Sequence, residues 1–257
     1  WDLSDLYVGA ECETLSGDLD DARMRARTLN EQYAGMVADL SGEALGALIG
    51  EYEEVQEILG RLTSYAYLSY CTAMENTEIA RFFQNLSEAA NDISSDLLFL
   101  TLELNRIEDS LLEEKKKVRA LAHYSPWLRD VRAYRPHQLS DELERLLHEK
   151  RISGRSAWMR LFDESVAALR FSLGDKELTS AEVLDLLSDP EESRRHAAAK
   201  SIGQVFGDNI RTFSLIINTL AKDKETEDKW RHFERPISER NLSNQVEDEV
   251  VDALVAA

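Results

Sequence analysis

Residues 82–104 read FFQNLSEAANDISSDLLFLTLEL, and the spacing of the apolar positions in that stretch decides the fold. Phe82, Phe83, Leu86, Ala90, Ile93, Leu97, Leu100 and Leu104 fall on one stripe at three- and four-residue steps. A strand would alternate with period two, so the stripe predicts a buried-face α-helix of roughly seven turns. The same period governs the chain on either side. Leu45, Leu48, Ile49, Tyr52, Val55, Leu59 and Leu62 follow a Ser41-Gly42 start signal. Val118, Leu121, Trp127, Leu128, Val131 and Tyr134 carry a third stripe, which Pro126 kinks or splits because proline lacks a backbone donor and clashes with the turn before it. Segments of this kind pack as up-and-down antiparallel helices, each burying its stripe against its neighbours.

The downstream half keeps the helical period with clearer punctuation. Pro136 ends the third segment, and Ser140 stands as cap of the next helix, with Asp141 and Glu142 placed favourably for its dipole. After Gly154 a helix bears Trp158, Leu161, Phe162, Val166 and Leu169. Phe171-Ser172-Leu173 and Lys176-Glu177-Leu178 flank Gly174-Asp175, which reads either as a tight hairpin or as an irregular connection. Thr179-Ser180-Ala181-Glu182 has capping-box form. Asp189-Pro190-Glu191-Glu192 reads as a helix start, with Asp189 as cap and Pro190 in the first helical position. One helix of about 30 residues, or ~45 Å, is expected from there to about residue 222. Val246, Val250, Leu254 and Val255 begin a last helix. Only 11 glycines and 4 prolines punctuate the whole chain. The expectation is an all-α fold of about eight to ten helices, with at most one short β-hairpin.

Composition narrows the partners. The 257 residues carry 49 acids against 30 Lys and Arg, a formal charge of −19, so phosphate backbones and anionic membrane surfaces are repelled. Neither a nucleic acid nor a membrane is expected as a partner. The basic run Lys115-Lys116-Lys117 follows Glu113-Glu114 and reads as a charge-paired, solvated helix face. Cys12 and Cys71 stand alone, which gives no disulfide framework and points to a reducing cytoplasm. No apolar run approaches the ~20 residues that span a bilayer, and the start lacks a signal-peptide pattern. The first residue is Trp, not Met, and no Gly or Pro follows the last apolar turn. Both features create the expectation of a longer protein trimmed at its two ends.

Catalytic constellations are absent from the sequence. Metal-assisted peptide hydrolysis needs two imidazoles at i, i+4 on a helix, a third ligand and a carboxylate beside the water. His123, His137, His148, His196 and His232 include no such pair, and His148-Glu149 leads only to Ile152. No catalytic, cofactor-binding or metal-ligating residue is therefore assigned. No glycine-rich phosphate loop or Gly-x-Ser-x-Gly elbow occurs either. Glu53-Glu54 and Glu113-Glu114 are adjacent in sequence and diverge around a helix. Tyr65, Tyr67 and Tyr70 could line a peptide channel or serve as packing. His137, just after a proline at a helix entrance, is placed to bond a nearby backbone group and fix the turn; a substrate-facing role is the alternative.

Trp1-Asp2-Leu3-Ser4-Asp5-Leu6-Tyr7, Tyr134-Arg135-Pro136-His137-Gln138-Leu139-Ser140 and Arg240-Asn241-Leu242-Ser243-Asn244, in this order and spacing, resemble the N-terminal part of the oligoendopeptidase F family. Gly154-x-x-Ala157-Trp158-x-x-Leu161-Phe162 and Asp189-Pro190-Glu191-Glu192-Ser193-Arg194 extend the resemblance over essentially the whole chain. It implies a larger, two-lobed helical zinc metallopeptidase around a groove that admits oligopeptides. The His-Glu-x-x-His motif, the water-activating glutamate and the oxyanion groups would lie in the other half. On that reading residues 1–185 are the N-terminal lobe and 186–257 begin the catalytic domain. Zn²⁺ belongs to the intact enzyme and none to this segment, which would be inactive, form one wall of the groove and self-associate through its last apolar stripe. The rival is a non-catalytic helical interaction or oligomerisation module.

Overall fold

The computed structural model describes residues 1–257. Three long helices form its body: α1 (Glu13–Tyr33), α2 (Gly42–Thr72) and α3 (Thr77–Leu104). Ser41 caps α2 by accepting from Ala44 N–H, and Asn76 caps α3 by accepting from the amides of Glu78 and Ile79. The four-residue connection between α2 and α3 turns them antiparallel. Both predicted stripes face inward, with Leu45, Leu48, Ile49, Val55 and Leu59 meeting Ile93, Leu97, Leu100 and Leu104 in one cluster of 19 buried residues. A smaller cluster joins Tyr7 to Leu62, Tyr65 and Leu86.

Short helices then cross the end of this body: α4 (Asp109–Lys115), α5 (Arg119–Ala122), α6 (Ser125–Ala133), α7 (Asp141–Lys150) and α8 (Arg155–Ala167). Pro126 does split the third stripe, leaving α5 and α6 on either side of residues 123–124. Two glycines let α2 approach them. A Cβ on Gly42 would lie 2.5 Å from the carbonyl oxygen of Lys115, and one on Gly46 would lie 2.8 Å from the backbone of Ala120.

The hairpin is real: β1 (Phe171–Leu173) pairs antiparallel with β2 (Lys176–Leu178) across Gly174-Asp175, and Gly174 has φ +62°. Then come α9 (Ser180–Asp185), opened by the Thr179–Glu182 capping box, α10 (Glu192–Asp208), α11 (Ile210–Trp230), α12 (Ser238–Ser243) and α13 (Asp248–Ala256). Of these thirteen helices nine have at least nine residues and four are shorter turns. A third cluster packs Leu169 and Phe171 with Val183, Ala198, Phe213 and Ile216, so it takes residues from both sides of position 185. No helix is long and apolar enough to cross a membrane.

Three local expectations are corrected. The single 30-residue helix breaks at Asn209, whose side-chain amide donates to Val205 C=O at 2.9 Å. Asparagine thereby offers the ladder a competing bond, and the second helix runs on to Trp230. The start of α10 lies two residues later than the Asp189-Pro190 signal. Asp189 Oδ1 accepts from Glu191 N–H at 2.8 Å in a turn outside the helix, and Glu191 takes the cap position. Ser140 precedes α7 as expected, but its hydroxyl accepts no capping bond. Glu144 reaches back instead to accept from Leu139 N–H at 2.8 Å.

Candidate functional site

A cavity of about 560 Å³ opens where the phrase Tyr134–Ser140 meets the C-terminal end of α11. Its size suits a ligand of a few residues or a small organic molecule. Leu98 and Leu102 of α3 and Trp127 and Val131 of α6 give it an apolar side, with Tyr134 and Phe233 at the turns. Five carboxylates (Asp130, Glu144, Glu227, Asp228 and Glu239) line it against three cations, Arg155, Lys224 and Arg231.

Arg231 organises one wall. Its guanidinium donates to both carboxylate oxygens of Glu144 (2.7 and 2.9 Å), to Glu227 at 2.7 Å and to His137 C=O at 3.2 Å. Both Arg231 and Glu144 are mostly shielded from solvent, with side-chain exposures of 18% and 14%. Burial works to lower the ionisation of Arg231, yet the two carboxylates prevail and hold its pKa above the ordinary range. Burial likewise pushes Glu144 up, but Arg231 and Leu139 N–H outweigh it and hold the carboxyl below the usual range. Tyr134 is pushed up by burial and by the charge of Glu239.

The end of α11 is shaped to bring Arg231 there. His232 takes φ +60°, the left-handed position normally given to glycine, with His232 N–H on Lys229 C=O and Phe233 N–H on Asp228 C=O. Those two bonds make a Schellman ending, and it turns Phe233 back onto the His137 ring. The rings stack with centroids 3.8 Å apart and planes at 17°. His137 Nδ1 lies 2.8 Å from Arg231 C=O; a carbonyl can only accept, so this nitrogen carries a proton. His137 does bond a backbone group, as its position suggested, but one 94 residues away.

Below it runs an amide relay of fixed polarity. Gln138 Nε2 donates to Leu102 C=O at 3.2 Å, and Gln138 Oε1 accepts from Asn105 Nδ2 at 2.8 Å. Asn105 Oδ1 is left as the one buried side-chain polar atom without a partner. The sequence reading missed Asn105, Glu144 and Arg231; no local motif marks them, and only the phrase around His137 pointed to this place.

The other singled-out residues lie elsewhere. His148 Nε2 is 3.0 Å from Asn91 C=O, and His123 packs edge-on to Tyr124. No three His, Cys, Asp or Glu side chains converge to hold a metal ion, so the residues present do not fit a zinc site. Tyr65 and Tyr70 are packing residues, 8% and 1% exposed, with Tyr70 stacked on Phe83 and donating to Glu164 at 3.2 Å; Tyr67 is half exposed. In the first phrase Tyr7 donates to Asp18 at 2.6 Å, and Arg61 bonds the same carboxylate at 2.7 Å. In the last, buried Asn241 donates to Asp248 at 2.7 Å, and just after it Gln245 reaches Asp130 on the cavity rim at 2.6 Å.

The sequence model described as Oligopeptidase F matches residues 103–171, the stretch that contains α6, α7 and the His137 turn. Oligopeptidase PepF of Bacillus subtilis (strain 168) is 23% identical over 238 residues, covering 87% of this chain. The chain spans about a third of that relative's length, 34%. The crystal structure of oligoendopeptidase-F from Enterococcus faecium superposes with a TM-score of 0.79 at 19% identity, over 94% of this chain and 49% of that one. That likeness is one of fold: a chain that follows the helical path of the Enterococcus protein over about half its length. Family model, relative and solved fold agree, and together they support reading the chain as similar to the N-terminal portion of the oligoendopeptidase F family.

Proposed function

We propose that residues 1–257 form one wall of the oligopeptide groove of a zinc-dependent, cytoplasmic oligoendopeptidase and carry no hydrolytic centre of their own. One observation supports this most. Nine of the eighteen residues lining the cavity fall within the segment 103–171 that the family model matches, among them Trp127, Tyr134, His137 and Glu144. In this reading the apolar side takes peptide side chains, and the polar side orients the backbone. Arg231 and Glu144 keep the two sides in register. Binding a zinc ion and activating water fall to residues outside 1–257. Residues 1–185 are the N-terminal lobe and 186–257 the start of the catalytic domain, with the third cluster as the packing between them.

The test is hydrolysis of an internally quenched oligopeptide by the full natural chain that carries residues 1–257, with and without a chelator. Chelator-sensitive cleavage by the full chain and silence from residues 1–257 alone support the proposal. No cleavage by the full chain, or turnover by 1–257 with added zinc, sinks it.

The rival, a non-catalytic oligomerisation module, draws on α13. Leu254 and Val255 are 78% and 81% exposed there. Exposed apolar stripes promote association. A full natural chain that forms a stable oligomer through α13 and cleaves no peptide favours the rival.

A further inference from the structure

We infer that the cavity binds the amino-terminal end of a peptide, taking its α-ammonium group between Asn105 Oδ1 and His137 Nε2; this rests on the reading of the cavity as part of an oligopeptide groove. Two acceptors there are fixed by bonds made elsewhere. Leu102 C=O can only accept, so the nitrogen of Gln138 must face it. Gln138 therefore offers Oε1 to Asn105, and Asn105 must answer with its own nitrogen. Flipping either amide would set two acceptors against each other, so Asn105 Oδ1 stays free. Asn105 is 6% exposed and lines the cavity. A buried carbonyl oxygen without a donor is costly, and a ligand N–H removes that cost.

His137 repeats the logic. Its Nδ1 proton is committed to Arg231 C=O and its ring is clamped against Phe233. In the neutral imidazole Nε2 is then an acceptor, and no protein group donates to it. Two acceptors want donors, and the charge of the lining selects which. Five carboxylates share the cavity with three cations, and Lys224 and Arg231 are already paired within it. The surplus is negative, which favours a cationic donor over a neutral one. Trp127, Val131 and Phe233 provide an apolar wall for the first side chain. An ammonium on an apolar stem is the amino terminus of a peptide with a hydrophobic first residue.

The experiment measures binding, by calorimetry, of a pentapeptide beginning with leucine to the full natural chain. The peptide is used with a free and with an acetylated amino terminus, under chelation to prevent cleavage. The free peptide should bind about tenfold more tightly, the worth of about one hydrogen bond to a charged donor. Asn105→Leu removes one acceptor, and His137→Asn keeps a donor near Arg231 C=O while removing Nε2. Each should abolish most of that preference; the second variant serves if the first does not fold. Equal binding of the two peptides by the unaltered chain overturns the ammonium inference but not the groove. Absence of binding by both overturns the groove as well. A preference that survives both variants shows the ammonium held elsewhere and overturns the assignment.

Discussion

Arg231 and Glu144, 87 residues apart, meet in a two-pronged ion pair that fastens the end of α11 to the start of α7. The pair is the mechanical basis of the cavity, because the same guanidinium holds His137 C=O and so the whole turn around Pro136.

Breaking it should be expensive. Arg231→Met leaves Glu144 shielded without its cation, and about 2–4 kcal/mol of unfolding free energy should be lost in urea titrations. Arg231→Lys, which keeps the charge but not the fork, should lose less than Arg231→Met. The pair also sets a pH dependence. Glu144 is held below its ordinary value in the folded state, so its contribution is present above the unfolded carboxylate pKa and is lost as pH falls through the folded one. Denaturation midpoints between pH 3 and 7 should therefore fall more steeply in acid for the unaltered chain than for Glu144→Gln.

Tyr7 gives the opposite sign at the other end of the scale. Burial first, and then the Asp18 carboxylate, push its hydroxyl up to about 12. A phenol raised in the folded state contributes stability that is complete below its unfolded pKa and lost as pH rises to the folded one. Stability should therefore decline between about pH 10 and 12, and less so in Tyr7→Phe. At neutral pH Tyr7→Phe should cost about 1 kcal/mol, since Asp18 retains Arg61.

The glycines of α2 should respond in opposite directions. Nothing lies within 4 Å of a Cβ placed on Gly60, so Gly60→Ala should stabilise by about 0.5–1 kcal/mol through helix propensity. Gly46→Ala would press on the backbone of Ala120 and should destabilise by about 1–3 kcal/mol despite the same propensity gain. Thermal melts of the two variants side by side check both.

What the sequence made legible is what depends on neighbours close in the chain. The stripe from Phe82 to Leu104, the split at Pro126, the turn at Gly174-Asp175 and the Thr179–Glu182 box are all written within a few residues. Asn209 breaks a helix through a side-chain bond that apolar periodicity does not register. The cavity was less legible still. His137 stood out only because its phrase resembles a family, whereas Arg231 sits among ordinary helix-end charges and Asn105 looks like any residue after a helix. Their meaning comes from contacts 33 to 94 residues away, which packing alone supplies.

The position of a bound oligopeptide tests the role of the cavity most directly. A photoreactive oligopeptide irradiated with the full natural chain under chelation, followed by digestion and mass spectrometry, maps its contacts. Attachment is expected within residues 127–144 and 224–239, the two sides of the cavity joined by Arg231. Specific attachment confined to other parts of the chain, with these two segments unlabelled, would contradict that role.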